Sequence, residues 1–212
     1  RGREISPGVF DFGEHGSGWV RIAVRGRAGS EIVIRYAENL TEDGRHVDQS
    51  NMVLPWDNKD MGHTDRYILC GKGEELWEQL FSYHGFRYAE ITGAYDTLEA
   101  TARIAYTDIP LVSAFECDNE IVNGIHQACL NSIRSNCHGA LTDCPTREQS
   151  YWTGDAMFSA QAVNLAFDAE GMFTDWLRTF QDEQFPDGSL PCHIPTYDSL
   201  FGANFASGAD WD

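Results

Sequence analysis

EATARIAYTDIPLVSAFECDNEIVNGIHQACLNSIRSNC (residues 99–137) changes its grammar part-way along. Its opening EATARIAY (99–106) alternates in character from residue to residue, the mark of a half-buried strand. Past Ile109-Pro110 the alternation stops. Asp118 is then placed as a helix N-cap, and Ile121, Val122, Ile125, Ala128, Cys129 and Ile133 recur at helical spacing. This helix should run to about Cys137, with Gly139 placed to help stop it. One stretch therefore joins two regions built on different periods. It predicts a multi-domain β + α chain, with a β-domain over 1–110 and a helical domain beginning at 111.

Upstream, the same period of two recurs in WVRIAV (19–24), EIVIRYAE (31–38) and FRYAEIT (86–92). Turn signals separate the runs: Arg27-Ala28-Gly29, Glu42-Asp43-Gly44 and Gly71-Lys72-Gly73. Many short strands with Gly-rich turns argue for a β-sandwich. Residues 41–63 carry few alternating apolar positions and predict a long loop. Downstream, AMFSAQAVNLAFD (156–168) reads as a buried, Ala-rich helix. MFTDWLRTFQDEQF (172–185) reads as an amphipathic one, closed by Pro186-Asp187-Gly188. Three helices cannot bury a substantial core alone, so the helical part is expected to be incomplete. The chain shows no low-complexity segment and no internal repeat.

Composition narrows the function. At 42% hydrophobic, the 212 residues can build a real core, and no apolar run reaches the roughly 18–20 residues of a membrane span. The formal net charge of −18 makes nucleic acid a poor partner, because a polyanion needs clustered cations. Six cysteines, at 70, 117, 129, 137, 144 and 192, form no CxxC and no zinc-finger spacing. They read as mostly buried, reduced thiols, which favours a cytoplasmic setting over secretion. Cys129 and Cys137 could share a helix face, most simply as core packing.

The densest chemistry lies between the first two helices, in DCPTREQSYWTGD (143–155). Pro145 turns the backbone of Cys144 away from helix, and Gly154 permits a close turn before the next one. Arg147 offers a planar fork of donors. Tyr151 and Trp152 offer flat faces that suit the C–H side of a pyranose. Asp143 and Asp155 can each accept two hydroxyl hydrogen bonds. The amides of a helix N-terminus near Asp155 should favour negative charge there. Glu148, wedged among aromatics and other carboxylates, is the candidate for a raised pKa and a general-acid role. The residues alone leave two readings open: an ordinary capped turn with a surface ion pair, or a cleft for a polyhydroxylated ligand. A metal site is disfavoured, since the acids lack EF-hand spacing and the loop holds no histidine.

The motif resembles the signature of the bacterial α-L-rhamnosidases, a family of glycoside hydrolases. The matching positions are Asp143-Cys144-Pro145, Arg147, Glu148, Trp152 and Gly154-Asp155-Ala156. FDFGEHGSGWVRIAVRGRAGSEIVIRYAE (10–38) and FSYHGFRYAEITG (81–93) are similar to the β-sandwich that precedes that family's catalytic barrel. The resemblance covers roughly residues 8–195. It implies a jelly-roll-like β-sandwich followed by the first helices of an α/α toroid of six hairpins. It also implies inverting hydrolysis of terminal α-L-rhamnosyl bonds in glycans or glycosides, with no metal or organic cofactor. Carried over residue by residue, Glu148 is the general acid, Asp143, Arg147 and Asp155 hold sugar hydroxyls, and Trp152 packs on the ring. Trp211, in GADWD, is implied as a further aromatic of the sugar pocket. Some members carry an extra loop residue, with the acid one place later. Here that place is Gln149, which has no carboxyl proton to give. The family's general base has no match in these residues. The chain is therefore expected to be a piece of a longer enzyme, inactive by itself.

Other residues have blander readings. His84, in FSYHGF, reads first as a strand-end histidine with a backbone partner. His138 and His193 lie where they could border a cleft, whereas His15, His46, His63 and His126 look incidental. Trp19, Trp56, Trp77 and Trp176 read as core or interface aromatics. Two rival functions stay open from the residues: a non-catalytic sugar-binding β-sandwich, and another α/α-barrel enzyme acting on polysaccharides. Oligomeric state is not legible.

Overall fold

In the computed structural model, residues 1–53 and 62–196 are described. Two compact units divide the chain: Arg1–Ala105 with Pro145–Glu148, and Tyr106–Cys144 with Gln149–Asp212. No single cut of the chain yields this division, because four residues of the motif cluster with the first unit.

The first unit is built from β1 (Arg3–Ser6), β2 (Val9–Arg25), β3 (Glu31–Ala37), β4 (Asn39–Leu40), β5 (Val47–Asp48), β6 (Thr64–Ile68), β7 (Glu75–Trp77), β8 (His84–Gly93) and β9 (Thr97–Ile104). The long β2 organises it. Its first part pairs antiparallel with β8, at Val9–Asp11 and Gly16–Gly18, across a register shift between Asp11 and Gly16. From Gly18 to Arg25 it pairs with β9 instead, and Ile22–Val24 pair with β7. A strand that changes partners along its length serves two layers. One layer runs β1-β2-β8-β3-β6; β7 and β9 flank the other end of β2.

The period of two in the sequence becomes an alternation of burial. Val20, Ile22 and Val24 are fully buried, whereas Arg21 and Ala23 are half-exposed. They meet Ile32, Ile34 and Tyr36 of β3, Phe86, Ala89 and Ile91 of β8, and Ala100 of β9 in one core. At roughly 1.5–3 kcal/mol for each fully buried large side chain, this cluster dominates the unit's stability. Residues 41–63 are not all loop: β5 and a short 3-10 turn at Ser50–Met52 lie within them. Val47 and Met52 pack on Val9 and Ala37 in a smaller cluster.

The second unit holds α1 (Glu120–Ser135), α2 (Thr153–Ala166) and α3 (Glu170–Glu183). Asn119, not Asp118, caps α1: its side chain accepts from the backbone N–H of Ile121 and Val122. Both residues carry a suitable oxygen, and only the backbone register chooses between them. The core here joins Leu130, Leu141, Ala156, Val163, Phe167, Met172 and Trp176. The apolar face predicted for α1 is largely uncovered, however. Ile121 is 75% exposed, as are Phe158 at 73% and Leu165 at 70% on α2, which was expected to be buried. The cysteines also depart from expectation. All six are free, but only Cys137 and Cys192 are buried, and Cys129 is exposed.

Candidate active site

The motif begins at Asp143 and closes on itself. Asp143 donates its backbone N–H to the Ser150 carbonyl at 2.9 Å, and its Oδ1 accepts the Ser150 N–H at 2.9 Å. Between them Gln149 takes a left-handed backbone, φ 51°, a conformation that a non-glycine residue adopts at a cost of about 1–2 kcal/mol. Among the described residues it is the only non-glycine with positive φ. The residue expected not to be the acid thus makes the reversal that lets Ser150 return to Asp143.

Pro145–Glu148 is a turn within the first unit. Pro145 and Thr146 are buried, Glu148 is half-buried and Arg147 is exposed. Thr146 is anchored through its carbonyl, which accepts from Nε2 of the buried His63. Gly85 of β8 leaves the room: a Cβ there would stand 2.6 Å from Thr146 Cγ2 and 2.9 Å from Pro145 Cγ. Arg147 lies close enough to Glu38 for its charge to help hold that carboxyl below the usual range. The larger cause is the hydrogen bond from His15, and Asn51 adds another. The His15–Glu38 contact is 3.0 Å and the Asn51–Glu38 contact 2.8 Å.

In the second unit, Trp152 is the N-cap residue of α2 and Asp155 sits in its first turn. Trp152 meets the buried His193 edge to face, ring centroids 5.3 Å apart at 74°. Thr153 donates both its N–H and its hydroxyl to the Cys192 carbonyl at 3.0 Å, and Ile194 N–H reaches the Tyr151 carbonyl at 3.1 Å. Residues 192–194 thus brace the start of α2 like a short strand. The Tyr151 hydroxyl donates to the His138 carbonyl at 2.8 Å.

Asp143 and Asp155 line one cavity of about 360 Å³ with Asn136, Thr142, Ile133 and Phe158. That is within the roughly 300–1,000 Å³ usual for small-molecule sites. Partial burial pushes the Asp155 carboxyl up from the ordinary aspartate range, and the Asp143 charge pushes it further. The helix N-terminus was expected to favour the ionised form; burial and the neighbouring carboxylate outweigh it here. His138 is half-buried, with Nε2 3.2 Å from the Ser135 carbonyl, and burial lowers its pKa. Such an arrangement can accept hydroxyl donors from a neutral, polar ligand. Among the described residues no group of His, Cys, Asp and Glu is disposed to hold a metal ion.

Residues 4–109 match the family model described as the bacterial alpha-L-rhamnosidase concanavalin-like domain. Residues 110–212 match that for the bacterial alpha-L-rhamnosidase 6 hairpin glycosidase domain. The chain belongs to the bacterial α-L-rhamnosidase family. An α-L-rhamnosidase from Dictyoglumus thermophilum superposes with a TM-score of 0.85 at 34% identity, covering 99% of this chain and 24% of that one. The Streptomyces avermitilis α-L-rhamnosidase, solved in complex with L-rhamnose, gives 0.83 at 33% identity over 94% of this chain and 19% of that one. An α-L-rhamnosidase of Formosa agariphila is 32% identical over 89% of this chain and 20% of its own length. The chain thus spans about a fifth of the length of the curated relatives it matches. Its fold is the β-sandwich of that family joined to the opening helices of the six-hairpin domain.

Reasoning from the sequence singled out Asp143, Arg147, Glu148, Trp152 and Asp155. Asp143 and Asp155 share a cavity, Arg147 and Glu148 share a turn of the first unit, and Trp152 starts α2. Trp211 lies outside the described residues, as does Trp56. His63 was passed over as incidental, yet it is buried and bonded to the motif backbone. His84 was expected to take a backbone partner; its ring faces His63 and Asp65 instead. No periodic signal connects positions 63, 65, 84 and 146. Only the small residue after His84, Gly85, hinted that something approaches closely there.

Proposed function

We propose that this chain carries the general-acid half of an inverting α-L-rhamnosidase, acting on terminal α-L-rhamnosyl bonds of glycans or glycosides. Glu148 protonates the leaving oxygen. Asp143, Arg147, Asp155, Trp152 and Trp211 hold the sugar. The observation that carries the reading is the setting of the motif. Its carboxylates Asp143 and Asp155 line a cavity of small-ligand size, and Glu148 rides on a turn anchored by buried side chains. A general acid works only if its proton is held at a fixed place. The relatives named as α-L-rhamnosidases, one of them bound to L-rhamnose, support the choice of sugar.

Inversion needs a second carboxylate roughly 6.5–9.5 Å from the acid, with a water between them. We assign that base to residues other than these 212. Glu148→Gln, in the complete enzyme that contains this chain, is expected to lower kcat by about 10²–10⁴ on a rhamnoside with an alkyl leaving group. The loss should be smaller on p-nitrophenyl α-L-rhamnoside, whose phenolate leaves without a proton. Equal losses on the two substrates would rule out the acid role. A panel of aryl glycosides tests the sugar, and hydrolysis confined to a sugar other than rhamnose would overturn that part.

A further inference from the structure

A buried line of polar side chains runs through the first unit and ends on the motif. The Val20 N–H donates to the Tyr36 hydroxyl at 3.1 Å, and that hydroxyl donates to Asp65 Oδ2 at 2.6 Å. Asp65 Oδ1 lies 3.2 Å from His84 Nε2, and His84 Nδ1 lies 3.2 Å from His63 Nδ1. His63 Nε2 then reaches the Thr146 carbonyl. Both histidines are 3% exposed. Tyr36 stacks on His84, ring centroids 4.0 Å apart. The His63 backbone is pinned as well, its carbonyl accepting from the Tyr36 N–H at 3.1 Å and from Gln49 Nε2 at 2.9 Å.

We propose that His63, His84 and Asp65 are positioning residues for the acid turn: they fix the Thr146 carbonyl, and with it the backbone of Arg147 and Glu148. The inference rests on Glu148 being the general acid. The acid lies two residues beyond the carbonyl that His63 holds.

A count of protons adds a second element. The Thr146 carbonyl only accepts, so His63 Nε2 carries a hydrogen. The Nδ1–Nδ1 contact needs one more, and the His84–Asp65 contact a third. Two neutral imidazoles beside a carboxylate hold only two. Taken as hydrogen bonds, the three contacts call for one proton more than that. Replacing Asp65 by asparagine removes the need for the extra proton, because the side-chain amide can donate to His84 Nε2 while its oxygen still accepts from Tyr36.

The test is kinetic, in the complete enzyme. His63→Met removes the donor to Thr146. It is expected to lower kcat on an alkyl rhamnoside by about 10–100-fold with KM within threefold, the order of loss for an acid misplaced by up to about 1 Å. On p-nitrophenyl α-L-rhamnoside the loss should be several-fold smaller, the same dependence on leaving group as Glu148→Gln at lower amplitude. His63→Gln, which offers an amide N–H toward the carbonyl, should recover most of the loss. Asp65→Asn should cost less than Asp65→Leu. Equal losses of His63→Met on both substrates, or no recovery by His63→Gln, would overturn the positioning role. Asp65→Asn costing as much as Asp65→Leu would overturn the proton count. Should Glu148→Gln itself show no dependence on leaving group, the acid reading falls and this proposal with it. A leaving-group dependence seen only for Glu148→Gln sinks the relay alone.

Discussion

Gly85→Ala tests whether the packing beneath the acid turn governs activity. Gly85 is not among the glycines with positive φ, so alanine suits its backbone. The obstacle is space. The new methyl would sit 2.6 Å from Thr146 Cγ2, 2.9 Å from Pro145 Cγ and 3.0 Å from Pro145 Cβ, where ordinary contact begins at 3.4 Å. Thr146 can turn its methyl aside by changing rotamer. Pro145 cannot, because its ring is closed on the backbone, so the turn must retreat by about 0.5 Å. Overpacking of this kind costs about 1–3 kcal/mol. A misplacement of about 1 Å can cost about 10²-fold in rate, so half that shift is expected to cost on the order of tenfold. The assay is kcat and KM of the complete enzyme on an alkyl and an aryl rhamnoside, beside a urea midpoint. The expected result is a kcat about tenfold lower on the alkyl substrate, with a modest loss of stability. A lowered midpoint with kcat within twofold of the parent would refute the reasoning: the turn would have moved and the chemistry would not have noticed.

Three further outcomes follow from single sites. Among the described residues nothing lies within 4 Å of the missing Cβ of Gly124 in α1, so Gly124→Ala should stabilise this chain by about 0.5–1 kcal/mol in urea unfolding; a lowered midpoint would contradict the helix placement. The Asp155 pKa is raised by burial and by Asp143, so its ionised form opposes folding at neutral pH and the penalty fades as the group protonates in acid. Asp155→Asn should raise the neutral-pH midpoint, lose that gain toward acid pH, and in the complete enzyme raise KM for the rhamnoside; a lower midpoint at neutral pH would contradict it. Asp11 shows the opposite sign. Two hydrogen bonds from Arg87, at 2.9 and 3.0 Å, hold its carboxyl below the usual range, so its contribution is complete above the ordinary aspartate pKa and is lost as pH falls through the depressed one. Asp11→Asn should destabilise the fold at neutral pH, with the gap closing in strong acid; a gap constant with pH would mean that ionisation plays no part.

Sequence pattern reached the fold wherever a strand or helix has one face in a core. WVRIAV and FRYAEIT fall within β2 and β8, and EIVIRYAE and EATARIAY coincide with β3 and β9 except for one and two residues at their ends. It missed β1, β4, β5, β6 and β7, which are only two to five residues long. In β6, TDRYI, the apolar Ile68 is 65% exposed, so there is no alternation to see. It misjudged burial on α1 and α2, because helical spacing identifies an apolar face and cannot say whether anything in the chain covers it. The cysteines fared the same way: their type is usually buried, yet Cys70 and Cys129 face outward. The motif itself was legible because its residues are contiguous. The groups that hold it were not, since Tyr36, His63, Asp65 and His84 come from three strands and a loop and meet only when the sheet forms.

That contrast bears on how the two regions of a rhamnosidase of this kind divide their work. The charges we assign to direct chemistry stand in one run, Asp143 to Asp155, whereas the support of Pro145–Glu148 comes from strands β3, β6 and β8 and from His63. A β-sandwich that only flanked a catalytic domain would have no reason to bury two histidines beside an aspartate on a line to one carbonyl. Buried polar groups cost stability unless every partner is present, and a sandwich core of Val, Ile and Phe would be simpler to fold. The strained Gln149 and the raised Asp155 are further costs at the same thirteen residues. If Glu148 is the acid, costs of this kind around the motif are what a fixed proton donor requires. On the proposal that Glu148 is the acid, substitutions on β8 that never touch it should act on kcat through the turn that β8 holds.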